Sequence, residues 1–260
     1  MVWYRQILLP FLTRRSWVIL IVMIPLILTD LISLRLQEPN LTFLDLISYH
    51  LAGISYELSL LAKLKWSTLM IAYLALLATW IHRRHEDVFS LMVIRYRSIN
   101  QWYKQMIGFL FAGAGILFLL HLLAVLLISS FTIQSELLLH PWMEQSGLVD
   151  LTNRPLGKIM GSLLLFYLNL ILFLVIFLCL RLSMREFNRP FIIMFVLYLF
   201  FLMIPKSIGM YLPATYGMGL RTTLFYADGL PFWMALLCQL LGISLLLGLI
   251  HVQYRRFEIY

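Results

Sequence analysis

The sequence predicts an all-α integral membrane protein with six transmembrane helices and both termini in the cytoplasm. Three observations carry this. Hydrophobic residues make up 62% of the 260 residues and charged residues 12%, with a mean hydropathy of +0.90. A soluble domain runs near half apolar and a quarter charged. The apolar residues gather in runs close to the ~20 residues an α-helix needs to cross a bilayer. The charges fall between the runs, so the net charge of +8 reads as an orienting bias rather than a nucleic-acid patch. Residues 1–260 therefore read as a single membrane domain.

The chain opens on an amphipathic stretch. Trp3, Tyr4, Ile7, Leu8 and Phe11 recur at helical spacing, Pro10 bends the chain, and Arg14 and Arg15 follow. This fits an N-terminal helix lying in the headgroup region; the alternative is the end of span 1. Span 1 covers about 17–34. The loop after it carries Asp30, Glu38, Asp45 and Glu57. Within it, Thr42-Phe43-Leu44-Asp45 offers a cap for a short helix with Phe43, Leu44, Ile47 and Leu51 on its apolar face. Span 2 covers about 64–81, with Trp66 and Trp80 near its ends as interfacial aromatics.

The longest polar segment between two spans is 82–106, with Arg83, Arg84, Arg95, Arg97 and Lys104. Val88, Phe89, Met92 and Val93 recur at helical spacing behind Asp87, which predicts a short amphipathic helix. Ser98-Ile99-Asn100-Gln101 is a capping box, so a second helix starts there and runs into span 3, about 107–129. The segment reads either as a basic loop held to anionic lipid or as a docking helix for a cytoplasmic partner. In span 3, Gly108, Ala112, Gly113, Ala114 and Gly115 would let a neighbouring helix approach closely. Span 4 covers about 160–180, and a turn with Arg181, Arg185 and Arg189 follows.

Span 5, about 191–204, is short for a crossing, and Pro205 stops it. The stretch 206–231 is half apolar and rich in Gly, Pro and aromatics. Backbone at membrane depth must be hydrogen-bonded, so a broken helix is tolerated only where protein or a water-filled cavity surrounds it. The stretch fits a re-entrant pair of short helices on the external side, or an ordinary loop over a tilted span 5. Span 6 covers about 232–252.

Orientation follows from the cations. Thirteen of the 20 Lys and Arg fall at the two ends, in 82–106 and in the 181–189 turn. The other seven are Arg35, Lys63, Lys65, Arg154, Lys158, Lys206 and Arg221, in company with eight of the 12 acids. The positive-inside bias puts the first set in the cytoplasm.

Chemical motifs are sparse. Cys179 and Cys238 sit in apolar runs and read as small core residues. His121 is alone in span 3 and reads as a hydrogen-bonded packing residue, as do Asn169 and Gln239. No acid is expected near the midplane, which argues against a secondary transporter. His82, His85 and Glu86 share a helix face but in no known zinc order, so no metal site is expected. Gly157-Lys158 lacks the remainder of a phosphate-binding loop, so ATP binding by this chain is not expected. The alternatives left open are a membrane enzyme with an unrecognised site, and a non-transporting immunity or scaffold protein that binds a peptide.

Taken together, the interfacial first helix, the six spans, the basic elbow between spans 2 and 3 and the broken segment between spans 5 and 6 resemble the transmembrane subunit of a type-2 ABC exporter. Arg95-Tyr96-Arg97-Ser98 and Trp102 ahead of span 3 are similar to the same stretch in small bacterial permeases of peptide antibiotic export or self-immunity. The resemblance implies a multi-pass protein of the bacterial plasma membrane. It implies that Asp87, Val88, Phe89, Met92, Arg95 and Arg97 form the coupling helix that docks on a separate ABC ATPase. ATP and Mg would bind on that partner, and this chain would hold no cofactor. Pro205, Tyr211, Tyr216 and Arg221 would lie in the external gate region. A second permease copy or sister permease, a hydrophobic or peptide substrate and the lipid bilayer would be the other partners, with no nucleic acid.

Overall fold

A computed structural model describes residues 17–37, 42–51, 63–79, 99–132, 155–184 and 188–257. The described residues are helical, joined by turns. In order they form α1 (Trp17–Gln37), α2 (Phe43–Leu51), α3 (63–79), α4 (Ile99–Thr132), α5 (Pro155–Ser183), α6 (Asn188–Met203), α7 (Lys206–Gly209), α8 (Pro213–Tyr216), a 3₁₀ turn (Gly219–Arg221) and α9 (Phe232–Phe257). Among the described residues three helices are long and apolar enough to cross a membrane: Tyr103–Ser130 within α4, Leu156–Ser183 within α5 and Phe232–Gln253 within α9. They mark the chain as a membrane protein. α6 is apolar but shorter.

α1, α4, α5 and α9 overrun their apolar stretches, because backbone hydrogen bonds continue where hydropathy stops. α1 reaches Gln37, and α4 begins at Ile99, immediately after the serine of the predicted capping box. Ser98 itself, like 80–97, lies outside the described residues. The short helix predicted from Thr42 is present as α2. The Thr42 backbone N–H donates to Asp45 Oδ2 at 2.9 Å and the Asp45 N–H to Thr42 Oγ1 at 3.3 Å. These reciprocal bonds satisfy two donors that a helix start leaves free. Leu44, Ile47 and Leu51 are buried, as the spacing predicts.

α5 organises the packing. Its apolar stretch is 67% buried, against 28% in α4 and 22% in α9. A helix apolar all round belongs in a core, and α5 packs against α2, α4, α6, α8, the 3₁₀ turn and α9. The small residues of α4 face it: Gly113 and Ala114 are buried, and Tyr167 on α5 donates its hydroxyl to the Phe111 carbonyl at 3.1 Å. Gln239 on α9 donates to the Leu165 carbonyl at 3.2 Å, the interhelical bond expected of it. At the other end of α9, the Leu247 carbonyl accepts from Tyr103 of α4 at 2.5 Å. Cys179 and Cys238 are free and half-buried.

Two sequence expectations are corrected. Trp66, read as an interfacial aromatic, packs into the protein interior. It is 4% exposed and stacks edge-on against Phe166 of α5, with centroids 5.5 Å apart. Its position near the end of an apolar run looked interfacial, but α3 turns that face inward. Asp30 is not a loop acid. It lies within α1, is 3% exposed, and is held by partners from two other helices.

Candidate functional site

Four helices bring ionisable side chains together in the interior. Asp30 comes from α1, His50 from the last turn of α2, Lys65 and Tyr73 from α3, and His121 from α4. Asp30 Oδ2 lies 2.5 Å from His50 Nδ1, and the other carboxylate oxygen is paired with Lys65 Nζ. His50 Nε2 faces His121 Nε2 at 2.8 Å. His121 Nδ1 is 2.5 Å from the Tyr73 hydroxyl. The result is one continuous hydrogen-bonded chain: Lys65, Asp30, His50, His121, Tyr73.

The local structure explains each placement. The Thr42–Asp45 cap fixes where α2 starts, and two turns later His50 is directed back at Asp30. The two imidazoles meet edge to face, with centroids 4.9 Å apart and planes at 89°, which lets both Nε2 atoms lie in line. Tyr73 sits eight residues after Lys65, so the chain descends about 12 Å along α3. Asp30, His50, Tyr73 and His121 are buried, whereas the Lys65 side chain is 23% exposed. The site is therefore closed at the Tyr73 end and open at the Lys65 end. Tyr73 packs on Phe166 with centroids 5.8 Å apart. Lys65 lies over the Tyr49 ring, 5.7 Å from its centroid. Burial, and then the nearby Asp30 carboxylate, push the Tyr49 phenol up, so its ring stays neutral under the ammonium.

His121 is thus hydrogen-bonded, as the sequence predicts, but within a network that the sequence did not reveal. The clue available was an acid inside the first apolar run and a histidine inside the third. Their link runs through His50, which sits in what reads as a loop. Intramembrane ionisable groups are rare and mark functional paths.

The residues assigned to an external gate fall in a second region. Pro205 separates α6 from α7, Tyr211 precedes α8, and Tyr216 is its last residue. Tyr216 donates to the Tyr211 carbonyl at 2.5 Å, and Thr215 to the Gly209 carbonyl at 2.6 Å. Arg221 is buried and donates to Thr215 Oγ1 at 3.3 Å. Leu230 N–H donates to the Arg221 carbonyl at 3.0 Å, and Thr223 N–H to the Leu230 carbonyl at 2.9 Å, closing the segment back to the start of α9. It lies flat on α5 because two glycines let it. A Cβ on Gly217 would run into the Asn169 side chain, and one on Gly219 into Ser162. Asn169 is buried beneath this contact, and its Oδ1 finds no hydrogen-bond partner among the described residues; the interhelical bond expected of it is not seen. Beside the segment, Met70, Leu74, Leu170, Phe173, Met194 and Tyr198 enclose about 10 Å³. That is at the lower limit for one water, and the lining is apolar apart from the Tyr198 hydroxyl.

The predicted coupling residues Asp87, Val88, Phe89, Met92, Arg95 and Arg97 lie outside the described residues, as do His82, His85 and Glu86. Among the described residues no group of three or more His, Cys, Asp or Glu could hold a metal ion. In comparisons with known proteins, no family model, no curated protein and no solved structure matches the chain.

Proposed function

We propose that the chain is the permease subunit of an ATP-driven type-2 ABC exporter in a bacterial plasma membrane. It forms the path for a hydrophobic or peptide substrate and pairs with a second copy or a sister permease. Six spans, with α1, α3 and α6 joining the three long helices, leave both termini in the cytoplasm. The observation that supports this reading is the segment 205–231. A short apolar helix ends at Pro205, α7 packs back against it, and α8 and the 3₁₀ turn pack against α5 before α9 begins. Irregular backbone of this kind is tolerated at membrane depth when protein surrounds it and its polar groups are bonded. It suits a re-entrant external gate.

The energy comes from a separate ATPase, through the helix predicted over 87–97. Phe89 is the telling residue. A large aromatic in an interface pocket costs roughly 2 kcal/mol or more when truncated, whereas a lipid-bound basic loop depends on its cations, at roughly 1 kcal/mol each. The full chain purified from its native membrane should carry a nucleotide-binding ATPase. Phe89→Ala should release that ATPase and uncouple transport while the permease still inserts, and Arg95→Gln should do less. If Phe89→Ala leaves association intact while neutralising Arg95 and Arg97 abolishes it, the segment is a lipid anchor and the permease reading loses its link to ATP.

A further inference from the structure

The chain of polar groups across α1 to α4 has a use that export by ATP does not require. We propose that Asp30, His50, His121 and Tyr73 form a proton-binding site, which takes up one proton and holds it on the paired imidazoles. This does not rest on the permease reading.

The geometry selects a proton over a metal. Two Zn–N bonds in line span about 4 Å, whereas the two Nε2 atoms are 2.8 Å apart. That is the separation of one shared hydrogen. The proton count then follows. With the imidazoles neutral, Asp30 accepts from Lys65 Nζ and His50 Nδ1, His50 Nε2 accepts from His121 Nε2, and His121 Nδ1 accepts from the Tyr73 hydroxyl. Every bond is made, and the two rings together carry two N–H hydrogens. When a proton from a hydronium ion arrives, it forms a new bond at His121 Nδ1 and leaves a water molecule in solvent. The Tyr73 oxygen turns from donor to acceptor, and its own hydrogen rotates away. The rings now carry three N–H hydrogens and one positive charge. The hydrogen between the Nε2 atoms can sit on either nitrogen, so the charge is shared and reaches towards Asp30. No bond of the chain is lost in either state.

The surroundings favour storage over through-conduction. Among the described residues, the titratable and charged groups facing the pair are Asp30 from α1, His50 and Tyr49 from α2, Lys65 and Tyr73 from α3, and His121 from α4. α5 offers only Phe166 against Tyr73. The path stops at an aromatic wall, and the one partly solvated member is Lys65.

The test uses the full chain with ¹⁵N-labelled histidine rings in lipid nanodiscs, titrated from about pH 4 to about pH 9, around the ordinary histidine range. His50→Gln and His121→Asn assign the resonances. Both rings should move through one common midpoint, with one proton gained by the pair. Asp30→Asn removes the facing anion and should lower that midpoint by about 1–3 pH units. Should that variant fail to insert, Tyr73→Phe replaces it. The midpoint should fall there too, because a hydrogen bond to the charged ring is the stronger of the two that tyrosine makes. Rings that stay neutral throughout, rings that each gain a proton at separate midpoints, or a midpoint that neither variant lowers would overturn the proposal and leave the chain as packing.

Discussion

Asp45 sets the direction in which His50 points, although the two never touch. Its carboxylate accepts from the Thr42 N–H and hydroxyl, both at 2.9 Å, and so fixes the first turn of α2. Asp45→Ala removes both bonds and should cost about 1 kcal/mol. Thermal unfolding of the detergent-solubilised chain would register the loss, and Asp45→Asn should recover part of it. This cap was legible because four consecutive residues contain it. The Asp30–His50–His121 chain was not, because its members are separated by 20 and 71 positions and no local pattern joins them. Asp30 read as a loop acid for the same reason. Hydropathy places the end of a span by composition, and one carboxylate near that end is enough to move the apparent boundary past it.

The long helices were readable from apolar length alone, and the short fifth one from Pro205. Their ends were not, since α4 and α5 continue beyond their apolar residues on backbone hydrogen bonds. Burial was legible in α2, whose apolar spacing marks the face that is buried, whereas the central place of α5 was not, since α4 and α9 are apolar runs of the same kind. The 205–231 segment announced itself as irregular through its Gly and Pro content, but its seat on α5 depends on which glycine meets which side chain. Gly217→Val drives new methyl groups into Asn169, and overpacking of this kind costs about 1–3 kcal/mol. The segment should lift from α5 while the helices stay formed. Labelling of a cysteine replacing Thr215, which is fully buried, should then rise by at least severalfold. Unchanged labelling would mean that α5 yields instead. Gly248, whose added Cβ would meet nothing within 4 Å, provides the neutral control as Gly248→Ala.

At the scale of the molecule, the asymmetry of Lys and Arg predicts which loops face the cytoplasm. Cysteines replacing Ser98 and Ser146 should answer oppositely to an impermeant reagent on intact cells, with 146 labelled and 98 protected. The reverse result would invert the protein. The polar chain has a mechanical meaning as well. α1, α2 and α3 are each tied to it by a charged or hydrogen-bonded side chain, and its anchor is His121 on α4. A probe pulling the N-terminus out of the bilayer therefore meets a clasp rather than three separate helices. The first three helices should come free in one rupture event. In Asp30→Asn the ion pairing that ties α1 to the clasp is gone, and α1 should slip out ahead of the other two, splitting that event into a weak peak followed by a strong one.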